Sequence, residues 1–147
     1  MQISSRFTIA LHALVCMEIF KSTNKVTSDF LASSINTNPV VIRRLLQQLK
    51  RAGIVSVKRG SGGAEISRPL SAITLLDVYN AVECVDHGKL FHFHESPNLN
   101  CPVGRNIHTI LDSRLDKIQQ AMENEMRQVT LQDIIEDAGK NIPTVED

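Results

Sequence analysis

Two groups of side chains in this sequence have types and spacings that could do chemistry. The first runs from Val40 to Arg51 and continues, after a short apolar stretch, into Lys58-Arg59-Gly60-Ser61-Gly62-Gly63. At helical spacing Ile42, Leu45, Leu46 and Leu49 share one face, leaving Val40, Arg43, Arg44, Gln47 and Arg51 on the other. Arginine can bond guanine and glutamine can bond adenine, each through two hydrogen bonds, so this face suits base edges in a major groove. The glycines let a backbone approach a phosphate closely, and Lys58 and Arg59 beside them suit phosphate or a narrow minor groove. The candidate DNA contacts are Thr37, Asn38, Val40, Arg43, Arg44, Gln47, Lys58, Arg59, Ser61 and Gly62.

The second group is His87, His92, His94, Glu95 and Cys101, in a stretch without clear periodicity. Cys101 stands just ahead of a long helical pattern, where the helix dipole favours thiolate, and makes a candidate redox or electrophile sensor. An unreactive thiol fits the same position. His92, His94 and Cys101 form one conceivable zinc or transition-metal set, although His-x-His spacing suits a solvated loop as well. Cys16 falls on an apolar helix and reads as core, while Cys84 ends a helix and has no assignable role. There is no nucleophile–base arrangement, no pair of carboxylates on one face and no cofactor loop, so the chain does not read as an enzyme. Gly60 to Gly63 is not a dinucleotide loop, since no helix opens directly behind it.

These groups must be positioned by a series of short elements. Residues 4–21 read as a helix capped by Ser4 or Ser5. Thr27 or Ser28 caps a second helix, and Asn36-Thr37-Asn38 is a polar break. Pro39 suits the first turn of a third helix, which Gly53 stops near Arg51. Ile54 to Arg59 alternates like a strand, residues 60–63 turn, and Ala64 to Ser67 returns. Thr74 caps a helix from Leu75 to Glu83, and residues 84–104 read as loop. From about Arg105 to Gln128 a long helix carries Ile107, Leu111, Leu115, Ile118, Met122 and Met126 at intervals of three or four, a sustained apolar seam. Thr130 caps a last helix from Leu131 to Ala138, ended by Gly139. The expected fold is mainly α with a small β-hairpin wing. It divides into a winged helix-turn-helix DNA-binding domain over 1–83, a sensor or effector loop over 84–104, and a dimerisation helix with a C-terminal helix over 105–147.

Charge supports a division of labour. The formal net charge of the 147 residues is zero, yet residues 1–68 hold ten basic and three acidic side chains, and residues 69–147 hold six and thirteen. A basic half fits double-stranded DNA, and an acidic half fits a region facing away from it. The seam of the long helix needs a partner, and a second copy is the economical one, giving a two-fold homodimer. Such a dimer would read half-sites about one helical turn apart, roughly 34–36 Å, or a multiple of that. No apolar run reaches transmembrane length and no signal-peptide pattern opens the chain, so no membrane partner is expected. Three widely spaced cysteines are not a disulfide framework and fit a reducing cytoplasm. A winged helix used only for protein contacts is the alternative of a different class, and it predicts no salt-dependent DNA binding.

Four stretches carry a family resemblance. Arg59-Gly60-Ser61-Gly62-Gly63, with Ile73 to Val78 and Ala81-Val82-Glu83, resembles the signature of the Rrf-two family of bacterial repressors. The opening helix from Ser4 to Leu14, the exit Leu49-Lys50-Arg51-Ala52-Gly53-Ile54-Val55 and the late Val129 to Ile135 are similar to that family too. The resemblance spans nearly the whole chain. It implies a winged-helix homodimer built on the long helix, repressing promoters at a dyad-symmetric site. Cluster-binding members carry three cysteines before the long helix, and some use a histidine shortly after the third. Here Cys101 alone stands in that loop, at the position resembling the third, with Gly104 near where the histidine would be. No cofactor is therefore expected, an iron–sulfur cluster included, because such clusters are held mainly by thiolates. A metal- or cluster-sensing repressor is the alternative on the same fold. Members often carry an acidic residue where Arg43 stands, so their operators do not transfer.

Overall fold

Residues 3–60, 62–82 and 88–142 are described by this computed structural model. They form α1 (Arg6–Phe20), α2 (Ser28–Ile35), α3 (Pro39–Arg51), β1 (Val55–Val57), β2 (Ala64–Ile66), α4 (Leu75–Ala81), α5 (Pro102–Gln128) and α6 (Leu131–Asn141), with a 3₁₀ turn at Leu70–Ala72. The architecture is mainly helical with one two-stranded antiparallel hairpin, a winged helix-turn-helix with a long later helix.

Local chemistry sets the turn between α2 and α3. The Thr27 hydroxyl accepts from the Phe30 amide to start α2, and Asn36 ends it in the left-handed conformation at φ 61°. Asn38 Oδ1 then accepts from the Val40 amide at 2.8 Å, and Pro39 occupies the first turn of α3. At the far end Gly53, at φ 75°, allows two closing bonds, Gly53 N–H to Lys50 O and Ile54 N–H to Leu49 O, both 3.0 Å. Ile54 and Leu49 are both fully buried, so the apolar contact that accompanies this kind of helix end is in place.

The hairpin pairs Val55 with Ile66 and Val57 with Ala64. It is tied to the segment before α2, where the Ala64 amide donates to Val26 O at 2.8 Å. Gly63 lies against that segment at φ 77°; a Cβ there would sit 3.0 Å from the Val26 backbone. The wing root is thus fixed by a position that only glycine fits.

The core is built around α1. Leu14, Met17, Leu31, Ile42, Leu49, Ile54, Ile73, Val78, Val82 and Leu131 are its largest fully buried side chains. Phe7 meets Tyr79 edge to face at 5.7 Å, joining α1 to α4. Leu131 comes from α6 because the chain returns: matching capping boxes, Thr74 with Asp77 and Thr130 with Asp133, start α4 and α6 side by side. Leu75 N–H donates to Val129 O and Leu131 N–H to Ile73 O, at 2.9 and 2.8 Å.

Some boundaries differ from the sequence reading. The long helix begins at Pro102 rather than near Arg105, since proline suits a first helical turn. Gly139 does not end α6, which runs on to Asn141; that glycine is not left-handed, and Ala138 O still accepts from Ile142 N–H at 2.8 Å. The 3₁₀ turn, closed by Ala72 N–H to Pro69 O, had no sequence counterpart beyond the proline. Glu83, Cys84 and His87 lie outside the described residues. No helix among the described residues is long and apolar enough to cross a membrane.

Candidate nucleic-acid interface and thiol site

Along α3, Ile42, Leu45, Leu46 and Leu49 are buried, and Val40, Arg43, Arg44, Gln47, Lys50 and Arg51 are exposed. The periodic split read from the sequence is therefore the real one. Arg43, Arg44, Lys50, Arg51 and Arg59 make no ion pair with any described residue. Lys58 Nζ lies 4.0 Å from Glu65, with both side chains more than half exposed, a pair too solvated to hold the lysine. This surface presents cations not committed to any described residue, as a phosphate-binding surface requires.

A groove of about 340 Å³ runs between α3, the wing and the start of α2. Arg43 and Gln47 line it from α3, and Lys58 and Gly60 from the wing. Thr27, Ser28 and Lys50 line it too, though the sequence reading did not single them out. Only the cap at Thr27 was legible there, and a cap signals a helix end rather than what the end faces. Of the remaining candidates, Thr37 is half-buried, Asn38 is exposed with its Oδ1 engaged as the α3 cap, and Gly62 is exposed at the wing tip. A Cβ on Gly62 would lie only 2.4 Å from Lys58 Cβ, so the tip is tight as well as glycine-rich. Ser61 lies outside the described residues.

Cys101 is the residue that immediately precedes α5, and it is half-buried. The backbone amides of Gly104 and then Val103 hold its thiol below the ordinary cysteine range, against a weaker opposing effect of burial. Hydrogen bonding from these two amides, in the first turn of α5, favours the thiolate form. Gly104 is itself constrained: a Cβ there would lie 2.4 Å from Asn98 O, the carbonyl that also accepts from Cys101 N–H at 3.1 Å. A larger residue at 104 would force this turn open.

The loop histidines go elsewhere. Phe93 is stacked between His94 and His108, with centroids 5.1 and 4.0 Å away. His92, His94 and Cys101 are not brought together, and no set of three metal-ligating side chains is assembled among the described residues. Cys16 is buried in α1, its sulfur 3.3 Å from Ser34 Oγ, as its apolar setting suggested.

No residue of α5 is fully buried, although it is 27 residues long. Met122 and Met126 pack against the core, while Ile107, Leu111 and Leu115 are half-buried and Ile118 is 53% exposed. Val103 and Ile110, which the seam reading passed over, are 61% and 49% exposed.

Comparison with known proteins follows this geometry. The family model Rrf2, described as an iron-dependent transcriptional regulator, matches residues 3–137. YwnA of Bacillus subtilis (strain 168), classed as an HTH-type transcriptional regulator, is 40% identical over 133 residues, which cover 90% of this chain and 96% of YwnA. A solved structure described as that of a DNA-binding protein is 35% identical, with a TM-score of 0.68 over 89% of this chain and 99% of its own. T. potens IscR, 18% identical, shares the fold with a TM-score of 0.71 over 99% of this chain and 94% of its own.

Proposed function

This chain belongs to the Rrf2 family of winged-helix transcriptional regulators, and from that premise we propose that it is a sequence-specific repressor that binds DNA as a homodimer. In this reading α3 enters the major groove, where Arg43, Arg44 and Gln47 read base edges, and the wing places Lys58 and Arg59 on the flanking backbone or minor groove. The observation that carries it is that exposed Arg43 and Lys50 of α3, without an ion pair to any described residue, line the same groove as Lys58 of the wing. Two copies joined along the exposed apolar stripe of α5 would set two such faces against one duplex. The protein would work in the cytoplasm, where Cys101 is kept reduced.

The family description names iron, but the residues here do not fit an iron–sulfur cluster. Such clusters need mainly thiolates. Cys16 is buried in the core, Cys101 is the one cysteine among residues 88–101, and a histidine at 104 would collide with Asn98 O. The signal is instead assigned to Cys101 itself: oxidation or alkylation at the start of α5 changes the charge and size of the group facing those amides, and alters the dimer that presents α3.

Binding-site selection on random duplex DNA, run with reduced and with peroxide-treated protein, tests both parts. A dyad-symmetric motif enriched only by the reduced protein is the expected result. No enriched motif in either state would defeat the DNA reading. Enrichment that is equal in both states, or a Cys101→Ser protein still released by peroxide, would defeat the thiol reading alone.

A further inference from the structure

A second cleft lies away from the DNA face, between the segment from Gly88 to Phe93 and the flank of α5. Gln119 clamps that segment at one end: its Oε1 accepts from Leu90 N–H at 3.0 Å and its Nε2 donates to Gly88 O at 2.7 Å. Phe93 pins the other end by stacking on His108, 4.0 Å between centroids and 27° between planes. His108 is in turn held by Asp112, 3.2 Å from its Nδ1. The segment arches between these two anchors over a cleft of about 290 Å³, at the small end of ligand sites, which run to roughly 300–1,000 Å³.

The walls are mixed. Phe91, Phe93 and Leu115 give an apolar lining, while Lys89 enters from the segment and Asp116 from α5. Asp112 is engaged by His108, but neither Lys89 nor Asp116 makes an ion pair or a hydrogen bond with any described residue, and the two do not pair with each other. An uncommitted ammonium and an uncommitted carboxylate lining one cleft beside phenyl rings complement a small molecule that carries both charges and an apolar group. We infer that this cleft binds a free α-amino acid with an apolar side chain, its carboxylate toward Lys89, its ammonium toward Asp116 and its side chain among the phenyl rings.

Leu115 is shared with the apolar seam of α5, but the charged wall of the cleft lies away from the exposed part of that seam. At about 100° per residue, Asp112 and Gln119 sit roughly 100–140° around the helix from Ile107 and Ile118, and Asp116 about 160–180°, nearly opposite. A bound amino acid would bridge the segment to the helix and stiffen the connection that leads on to Cys101. The inference goes beyond the DNA reading and is tested on the protein alone, so either can fail without the other.

Isothermal titration calorimetry on the full chain, with L-leucine and L-phenylalanine as probes, decides it. Saturable binding is expected for at least one, and about tenfold weaker binding when L-leucine is replaced by isoamylamine, which lacks the carboxylate, or by 4-methylpentanoate, which lacks the ammonium. Lys89→Met and Asp116→Asn should each weaken the amino acid by about tenfold as well. Both side chains are exposed, so circular dichroism of the variants should match the parent. No saturable heat with either amino acid at millimolar concentration, or unchanged affinity in both variants, would overturn the proposal.

Discussion

The head of this molecule and its long helix obey opposite rules. In the head, helices of seven to fifteen residues each bury a face against the same core. In α5, 27 residues bury none completely, and Val103, Ile110 and Ile118 are left about half exposed or more. A helix of that length in water draws most of its stability from packing rather than from propensity. The head buries its core within one chain, whereas α5 carries Val103, Ile110 and Ile118 that no described residue buries. The difference separates the part that packs a core from the part proposed to pair with a second copy.

Substitutions in the two regions should part company sharply. Replacing Ile110 and Ile118 together by Asp should weaken self-association by about 3–5 kcal/mol, the scale of an uncompensated buried charge, while leaving head helicity intact. Sedimentation equilibrium beside circular dichroism would read both, and a double variant that assembles as the parent does would break the comparison. In the head, Leu49→Ala should lower stability by about 2–5 kcal/mol in urea unfolding, because Leu49 is fully buried and anchors the end of α3. Arg44→Ala should leave stability unchanged and weaken binding to a selected duplex by about 1–3 kcal/mol, chiefly by relaxing base preference. Thr130→Ala removes the cap of α6 and should lower stability by about 1 kcal/mol. Smallest is a shift at the junction of the two regions: the Cys101 thiol is held below its ordinary range. Thiolate is the reactive form, so iodoacetamide labelling of the native protein should rise and level off at lower pH than in the urea-unfolded chain. Identical profiles would remove the amide effect.

What the sequence made legible was what depends on neighbours along the chain. Periodicity separated Ile42 and Leu49 from Arg43 and Arg44, cap chemistry placed Thr27, Thr74 and Thr130 at helix starts, and Pro39 marked the first turn of α3. Long-range features were not legible. The docking of Leu131 beside Ile73 depends on two capping boxes more than fifty residues apart meeting through backbone bonds, for which one chain segment holds no signal. Gly104 read only as a missing histidine, whereas its cause is the Asn98 carbonyl lying where a Cβ would go. The clamp by Gln119 was invisible, since a glutamine on a polar helix flank looks like any solvated residue. The seam is not uniform: Met122 and Met126 pack against the head, and Ile118 remains open.

The account rests on the cations of α3 and the wing meeting a duplex. Fluorescence anisotropy with a selected operator duplex, from 50 to 200 mM salt, tests that directly. Affinity should fall steeply on a logarithmic salt plot, and Arg59→Ala should make the slope shallower by about one. Affinity indifferent to salt, or a slope untouched by losing Arg59, would contradict it.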